Sequence, residues 1–182
     1  AEVAEPRPAY MHSFGLSREY AVLTEYPWRF RLRRMLASIA SGVFTGRRSA
    51  FDMFEWDAAL GTRFTVVRLA DGAVAGRFRA PPCFCYHTVN CFQDGDKLCL
   101  DMSCYDQVFY DDMTLEALRK PACPAGEHPG QLRRYVLDLS AGAEAQARVG
   151  GAVEVRVLVD AVVEFPRFDP RRRFDGGYRF VY

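Results

Sequence analysis

The stretch Cys83 to Tyr105 reads CFCYHTVNCFQDGDKLCLDMSCY. Two runs of strand-forming residues, Cys83 to Phe92 and Lys97 to Tyr105, flank the polar segment Gln93-Asp94-Gly95-Asp96. A short Asp/Gly turn between two such runs is a β-hairpin signal. Working outward, Thr62 to Leu69 and Ala73 to Arg79 flank Asp71-Gly72 and predict a second hairpin. Glu19 to Glu25, Leu132 to Leu139, Val153 to Val159 and Tyr178 to Tyr182 read as further strands. Many short antiparallel strands with tight turns make an all-β fold: a sandwich, a barrel or a propeller. Strand periodicity does not choose among the three. Two segments read as helical. Thr114 to Lys120 has Thr114 as N-cap and Pro121 as its stop. Arg29 to Ala40 mixes basic and apolar residues without a clean single face. Ala141 to Gly151, rich in Ala and Gly, reads as a variable loop.

Of the 182 residues, 49% are hydrophobic and 14% aromatic, enough to build a packed core and to rule out wholesale disorder. The formal net charge is only +1, so no concentrated basic field favours a nucleic-acid partner. No apolar run reaches the length of a membrane span. The first residues carry no secretory pattern, so we expect an intracellular chain whose six cysteines are reduced. The opening Ala-Glu-Val-Ala-Glu-Pro and the closing strand-like Tyr178 to Tyr182 read as cuts within a longer domain.

Three histidines carry the possible chemistry. His128 lies in Pro124-Ala125-Gly126-Glu127-His128-Pro129-Gly130, a loop poor in apolar residues, and is expected to be solvated. His87 lies inside an apolar strand, where alternation puts Cys83, Cys85, His87, Val89 and Cys91 on one side. A buried imidazole must satisfy both nitrogens, so His87 is either a hydrogen-bonded core residue or a metal ligand. A zinc or copper site from Cys83, Cys85, His87 and Cys91 suits soft metals in residue type. Strand geometry opposes it: residues two apart stand about 6.6 Å apart, while two thiolates on one zinc at about 2.3 Å each nearly touch. His12, after Tyr10-Met11, says little alone. Glu164, in Val162-Val163-Glu164-Phe165-Pro166, is either a turn glutamate or an acceptor for an imidazole N–H that orients the ring on a metal.

Four segments, in this order, resemble the carotenoid cleavage oxygenase family. Met11-His12-Ser13-Phe14-Gly15-Leu16-Ser17 with Glu25-Tyr26-Pro27 is similar to a segment that supplies an iron histidine. Trp56 to Val67 resembles the family's Gly-Thr-Arg-Phe strand. Tyr86-His87-Thr88-Val89-Asn90 with Leu100-Asp101 resembles the aromatic-His-x-x-Asn motif of another iron histidine. Glu164-Phe165-Pro166 with Arg173-Phe174 and Tyr178 to Tyr182 resembles the Glu-Phe-Pro segment. Arg133-Arg134-Tyr135-Val136-Leu137 is similar to the animal members, including the β-carotene oxygenase and retinoid isomerase branch.

The resemblance implies part of a seven-bladed β-propeller with short helical insertions. Iron lies on its axis, held by four histidines, three of them steadied by glutamates. By position His12 and His87 match two ligands, and Glu164 matches the glutamate that steadies His87. Thr88 stands where many relatives carry a second His, a position that is not a ligand. The other ligands have no counterpart, so residues 1–182 read as one partial domain, well under half of a family member, and inactive alone. The implied reaction is Fe(2+)-dependent cleavage of a carotenoid or apocarotenoid double bond with O2, giving two carbonyl products. The alternatives are a retinyl ester isomerohydrolase on the same scaffold, with iron as a Lewis acid, and a non-catalytic binding propeller. Substrate would be a lipophilic polyene. Arg31, Leu32, Arg33, Arg34, Met35 and Leu36 are candidates for peripheral membrane contact, because animal relatives touch membrane in this region.

Overall fold

In the computed structural model, residues 7–41, 50–109, 119, 129–140 and 151–182 are described. The hairpin at the centre of the sequence joins β7 (Phe84–Asp94) to β8 (Lys97–Tyr105), with Asp94 paired to Lys97. Only Gly95 and Asp96 lie between them, and Gly95 sits at φ 58°, the left-handed backbone that a two-residue hairpin turn demands. β9 (Gly130–Asp138) lies antiparallel to β8, and β10 (Gly151–Val159) antiparallel to β9. These four strands form one meander.

A second antiparallel set precedes it. β1 (Gly15–Leu16) pairs with β2 (Tyr20–Glu25), β2 with β5 (Thr62–Arg68), and β5 with β6 (Val74–Ala80). A two-residue parallel bridge, Gly151 to Phe78 and Ala152 to Arg79, links β10 to β6 and gives the order β1-β2-β5-β6-β10-β9-β8-β7. Two four-stranded meanders side by side are what successive propeller blades look like. Between them Val22, Phe64, Val66 and Phe78 of the first set share one core with Leu98, Leu100, Met102, Tyr135 and Leu137 of the second. Burying each such side chain contributes about 1.5–3 kcal/mol. This shared layer therefore dominates the contact between the two sheets.

The Gly61-Thr62-Arg63-Phe64 run leads the chain into β5. Gly61 has φ 62° and ψ −175°, a region that essentially only glycine occupies, and an added Cβ would stand 2.8 Å from the carbonyl oxygen of Ala80. Thr62 Oγ1 accepts the Cys83 N–H at 2.9 Å, tying the start of β5 in one meander to the residue before β7 in the next. Arg63 grips the buried Glu25 with Nε at 2.6 Å and a terminal nitrogen at 2.7 Å. Arg29 lies 3.3 Å from the same carboxylate. Phe64 is fully buried and its ring lies 5.0 Å from that of Tyr135.

Between β2 and β5 the chain makes an excursion: β3 (Trp28–Phe30), α1 (Leu32–Ser41) and β4 (Phe54–Trp56), with β3 paired to β4. The sequence predicts a helix from Arg29. Arg29 and Phe30 belong instead to a strand, because Trp28 and Phe30 pair with Trp56 and Phe54 and tertiary packing overrides helix propensity there. The helix also has the single apolar face that its composition hides. Leu32, Leu36 and Ile39 fall on one side and are 58%, 57% and 42% exposed. At its base Arg31 Nε lies 2.6 Å from Glu55, and Arg33 and Arg34 each 3.6 Å from the same carboxylate.

Two further expectations are corrected. Tyr178 to Tyr182 joins no sheet among the described residues: its last residue, Tyr182, exchanges two backbone bonds of 2.8 Å with Arg167. Its aromatic and β-branched residues promise a strand, but no neighbouring strand pairs with it among the described residues. Simple alternation along β7 also fails, because the β7–β8 register shifts between Cys85 and Thr88 and again between Thr88 and Asn90. The expected Thr114 to Lys120 helix, apart from Arg119, lies outside the described residues, and so do residues 141–150 of the expected loop; Gly151 opens β10. Replacing Gly61 by Ala is expected to cost about 1–3 kcal/mol in backbone strain alone. Thermal unfolding of the whole protein measures it as a lowered Tm.

Candidate metal centre

His87 stands in the irregular part of β7, where the ladder to β8 is shifted on both sides of it. A bulge bends a strand and re-aims the side chain it carries. Cys85, two residues before, turns its thiol to the His87 carbonyl oxygen at 3.2 Å. The imidazole leaves the core and is half-buried. Its Nδ1 lies 2.6 Å from Glu164 Oε2. A carboxylate only accepts, so Nδ1 carries a proton, and in the neutral ring Nε2 keeps its lone pair.

Glu164 is itself held in place. Its other oxygen, Oε1, accepts the Tyr105 hydroxyl at 2.8 Å. Burial, with the Glu164 bond adding to it, pushes the Tyr105 phenol above its ordinary range, so Tyr105 stays a donor. Ser103 donates to the Val163 carbonyl one residue earlier. Phe165 follows at φ 51°, an uncommon backbone for a bulky residue. That turn lays its ring 4.8 Å from the His87 ring, centre to centre. Further along, Asn90 receives the Phe174 N–H and donates to the Asp175 carbonyl, both at 3.3 Å. Tyr178 donates to the buried Asp101, which also takes two bonds of 2.7 Å from Arg134. The motif asparagine thus anchors the tail that delivers Glu164.

His12 lies at a bend in the irregular segment between the Ala9–Arg29 bridge and β1. Its ring centre is 5.2 Å from that of His87, with the planes at 85°. With metal–nitrogen bonds of about 2.1 Å, two imidazoles bound at right angles to one ion stand about 4.6 Å apart between ring centres. The pair is close to that separation. Two imidazoles, one of them fixed in the Nδ1–H form by a carboxylate, are a donor set that divalent first-row ions accept. The two residues therefore fit two positions of a metal site. Among the described residues no third His, Cys, Asp or Glu joins them in a metal-binding group.

The cysteines do something else. Cys83, Cys85, Cys91 and Cys104 are buried. The adjoining Cys104 thiol and burial hold Cys83 well above the usual thiol range, and burial does the same to Cys91 and Cys104. Cys83 receives a bond from the Tyr135 hydroxyl at 3.3 Å. Cys83, Cys91 and Cys104 are thus protonated core thiols, not thiolate ligands. His128 and Cys123 lie outside the described residues. Sequence reasoning missed Tyr105 and Ser103, and it placed Asp101 in a motif without giving it a role. Their signal is visible afterwards: polar residues at every second position of β8 alternate with Leu100, Met102 and Cys104, all six of them buried.

The chain matches, over residues 1–182, the family model described as retinal pigment epithelial membrane protein. It is 33% identical over 121 residues to the mitochondrial carotenoid-cleaving dioxygenase of Mustela putorius furo, covering 65% of this chain and 20% of that protein. It is 27% identical over 179 residues to the carotenoid isomerooxygenase of Galleria mellonella, covering 96% and 33%. Among solved structures, Synechocystis apocarotenoid oxygenase (a Glu150Gln variant) superposes with a TM-score of 0.71 at 21% identity, covering 95% of this chain and 32% of that one. A cobalt-substituted form of the same oxygenase gives 0.70 at 22% identity, covering 95% and 32%. The chain thus spans a third or less of these relatives' length. It belongs to the family of carotenoid cleavage oxygenases and the retinal pigment epithelial membrane protein, a family of enzymes, and its two meanders are part of their propeller fold.

Proposed function

We propose that the protein carrying this chain is a non-haem Fe(II) dioxygenase that cleaves a double bond of a carotenoid or apocarotenoid into two carbonyl products. The observation that carries the reading is the right-angled His12–His87 pair with Glu164 bound to the far nitrogen of His87. When bound, Fe(II) supplies the electrons that let O2 react with an alkene. The chain's own residues hold and shape the place. His12 and His87 offer neutral nitrogens, which leave the ion its full positive charge. Glu164 and Tyr105 keep the His87 proton on Nδ1 and the ring in one orientation. Tyr86 beside His12 and Phe165 beside His87 add apolar surface, the kind that holds a polyene by shape and dispersion.

We further propose that α1 docks on a membrane surface and brings a lipophilic substrate to the site. Its exposed Leu32, Leu36 and Ile39 with Arg33 and Arg34 alongside support this.

The whole protein, purified without oxygen and supplied with Fe(II), is expected to bind iron, to consume O2 and to yield aldehydes or ketones from β-carotene. The His87→Ala variant is expected to lose both iron and products. Iron retained in that variant would return His87 to the role of a core histidine. Products formed without O2 uptake, from a retinyl ester, would mark an isomerohydrolase. Glu164→Gln is expected to weaken iron binding about 10–100-fold, read by competition with a chelator. In liposome flotation, replacing Leu32, Leu36 and Ile39 by Ser is expected to release the protein from vesicles; unchanged flotation would reject the membrane role of α1.

A further inference from the structure

Ser13 connects the two histidine segments in a way that the ligands and Glu164 do not explain. β7 is the last strand in the sheet order, so among the described residues no strand pairs with its outer edge. Along that irregular stretch, on either side of His87, the Tyr86 carbonyl and the Thr88 N–H must find partners. Both find the same atom. Ser13 Oγ donates to the Tyr86 carbonyl at 2.8 Å and accepts the Thr88 N–H at 3.0 Å. A neighbouring strand would serve these two groups with a backbone N–H and a C=O. Here one hydroxyl does both, which requires a group that donates and accepts at once. Its single proton is committed to Tyr86. The 3.2 Å contact with Thr88 Oγ1 must therefore run from the threonine hydroxyl to serine. That uses the donor and both acceptor positions of Ser13.

Ser13 is the residue after His12, and Tyr86 and Thr88 are the residues on each side of His87. The segment around His12 is neither helix nor strand. No ladder of its own therefore fixes the distance between the two rings. We propose that Ser13 is a positioning residue: its hydroxyl clamps the His12 segment to the backbone on both sides of His87 and so holds the two imidazoles at a separation that one metal ion can bridge. The inference rests on the proposed metal site. Thr88 contributes the third bond and strengthens the clamp without being its core, because the two backbone bonds survive its loss.

The test uses the whole protein loaded with Co(II), whose visible bands report ligand geometry, and compares wild type with Ser13→Ala, Ser13→Thr and Thr88→Val. Ser13→Ala is expected to bind Co(II) about 10–100-fold more weakly and to shift the bands. In the metal-free protein its Thr88 amide is expected to exchange with solvent up to about tenfold faster. Ser13→Thr, which keeps the hydroxyl, is expected to restore affinity and spectrum, and Thr88→Val to remain close to wild type. A Ser13→Ala protein with wild-type affinity and bands overturns the clamp alone, and so does a Ser13→Thr protein no better than Ser13→Ala. A wild-type protein that takes up no metal, while its Thr88 amide is protected, overturns the proposed function and the clamp's part in ligation together.

Discussion

Everything around the histidine pair depends on β8 being buried on both faces. It runs between β7 and β9, so its backbone bonds are made on both edges. Leu98, Leu100, Met102 and Cys104 face the core shared with the preceding blade. The opposite face carries Asp101, Ser103 and Tyr105, polar groups that are costly to bury without partners. Their partners come from the tail: Tyr178 for Asp101, the Val163 carbonyl for Ser103, and Glu164 for Tyr105. The demand for satisfied hydrogen bonds on one strand thus brings a carboxylate from 77 residues further along to His87.

The irregularity of β7 is the second constraint. A regular strand would keep His87 in line with Cys85 and Val89. The register shifts turn the ring toward His12 and Glu164, and they leave backbone groups that a regular ladder would have used. Those groups are taken up by short polar side chains: Ser13 at Tyr86 and Thr88, and Cys85 at the His87 carbonyl. Fixing a side chain at an angle that the sheet does not favour requires the surrounding side chains to satisfy what the sheet leaves open. The same logic explains Asn90, whose amide serves the Phe174 N–H and the Asp175 carbonyl at once.

Much of this is legible in the sequence. The β7–β8 hairpin follows from its turn residues, and the strands at β2, β5, β6, β9 and β10 from their patterning, within two residues at each end. His12, His87 and Glu164 stand out once the four motifs are seen together. The helix boundary and the tail are less legible. Trp28 to Phe30 becomes a strand only because Phe54 to Trp56 lies beside it. Tyr178 to Tyr182 has strand composition, yet no neighbouring strand accepts it; Tyr178 is held by Asp101 instead.

By itself the sequence determined the local choices: where chains turn, which runs extend, which residue types can hold a metal. These depend on backbone sterics and on side chains close in sequence, and both are written in order along the chain. Only the tertiary structure decided which groups meet. The 5.2 Å approach of His12 to His87, the grip of Glu164 on Nδ1 and the two backbone hydrogen bonds of Ser13 join residues 73 to 77 positions apart. No periodicity records such distances. They arise from two blades sharing one core and from the rule that buried polar groups must find partners.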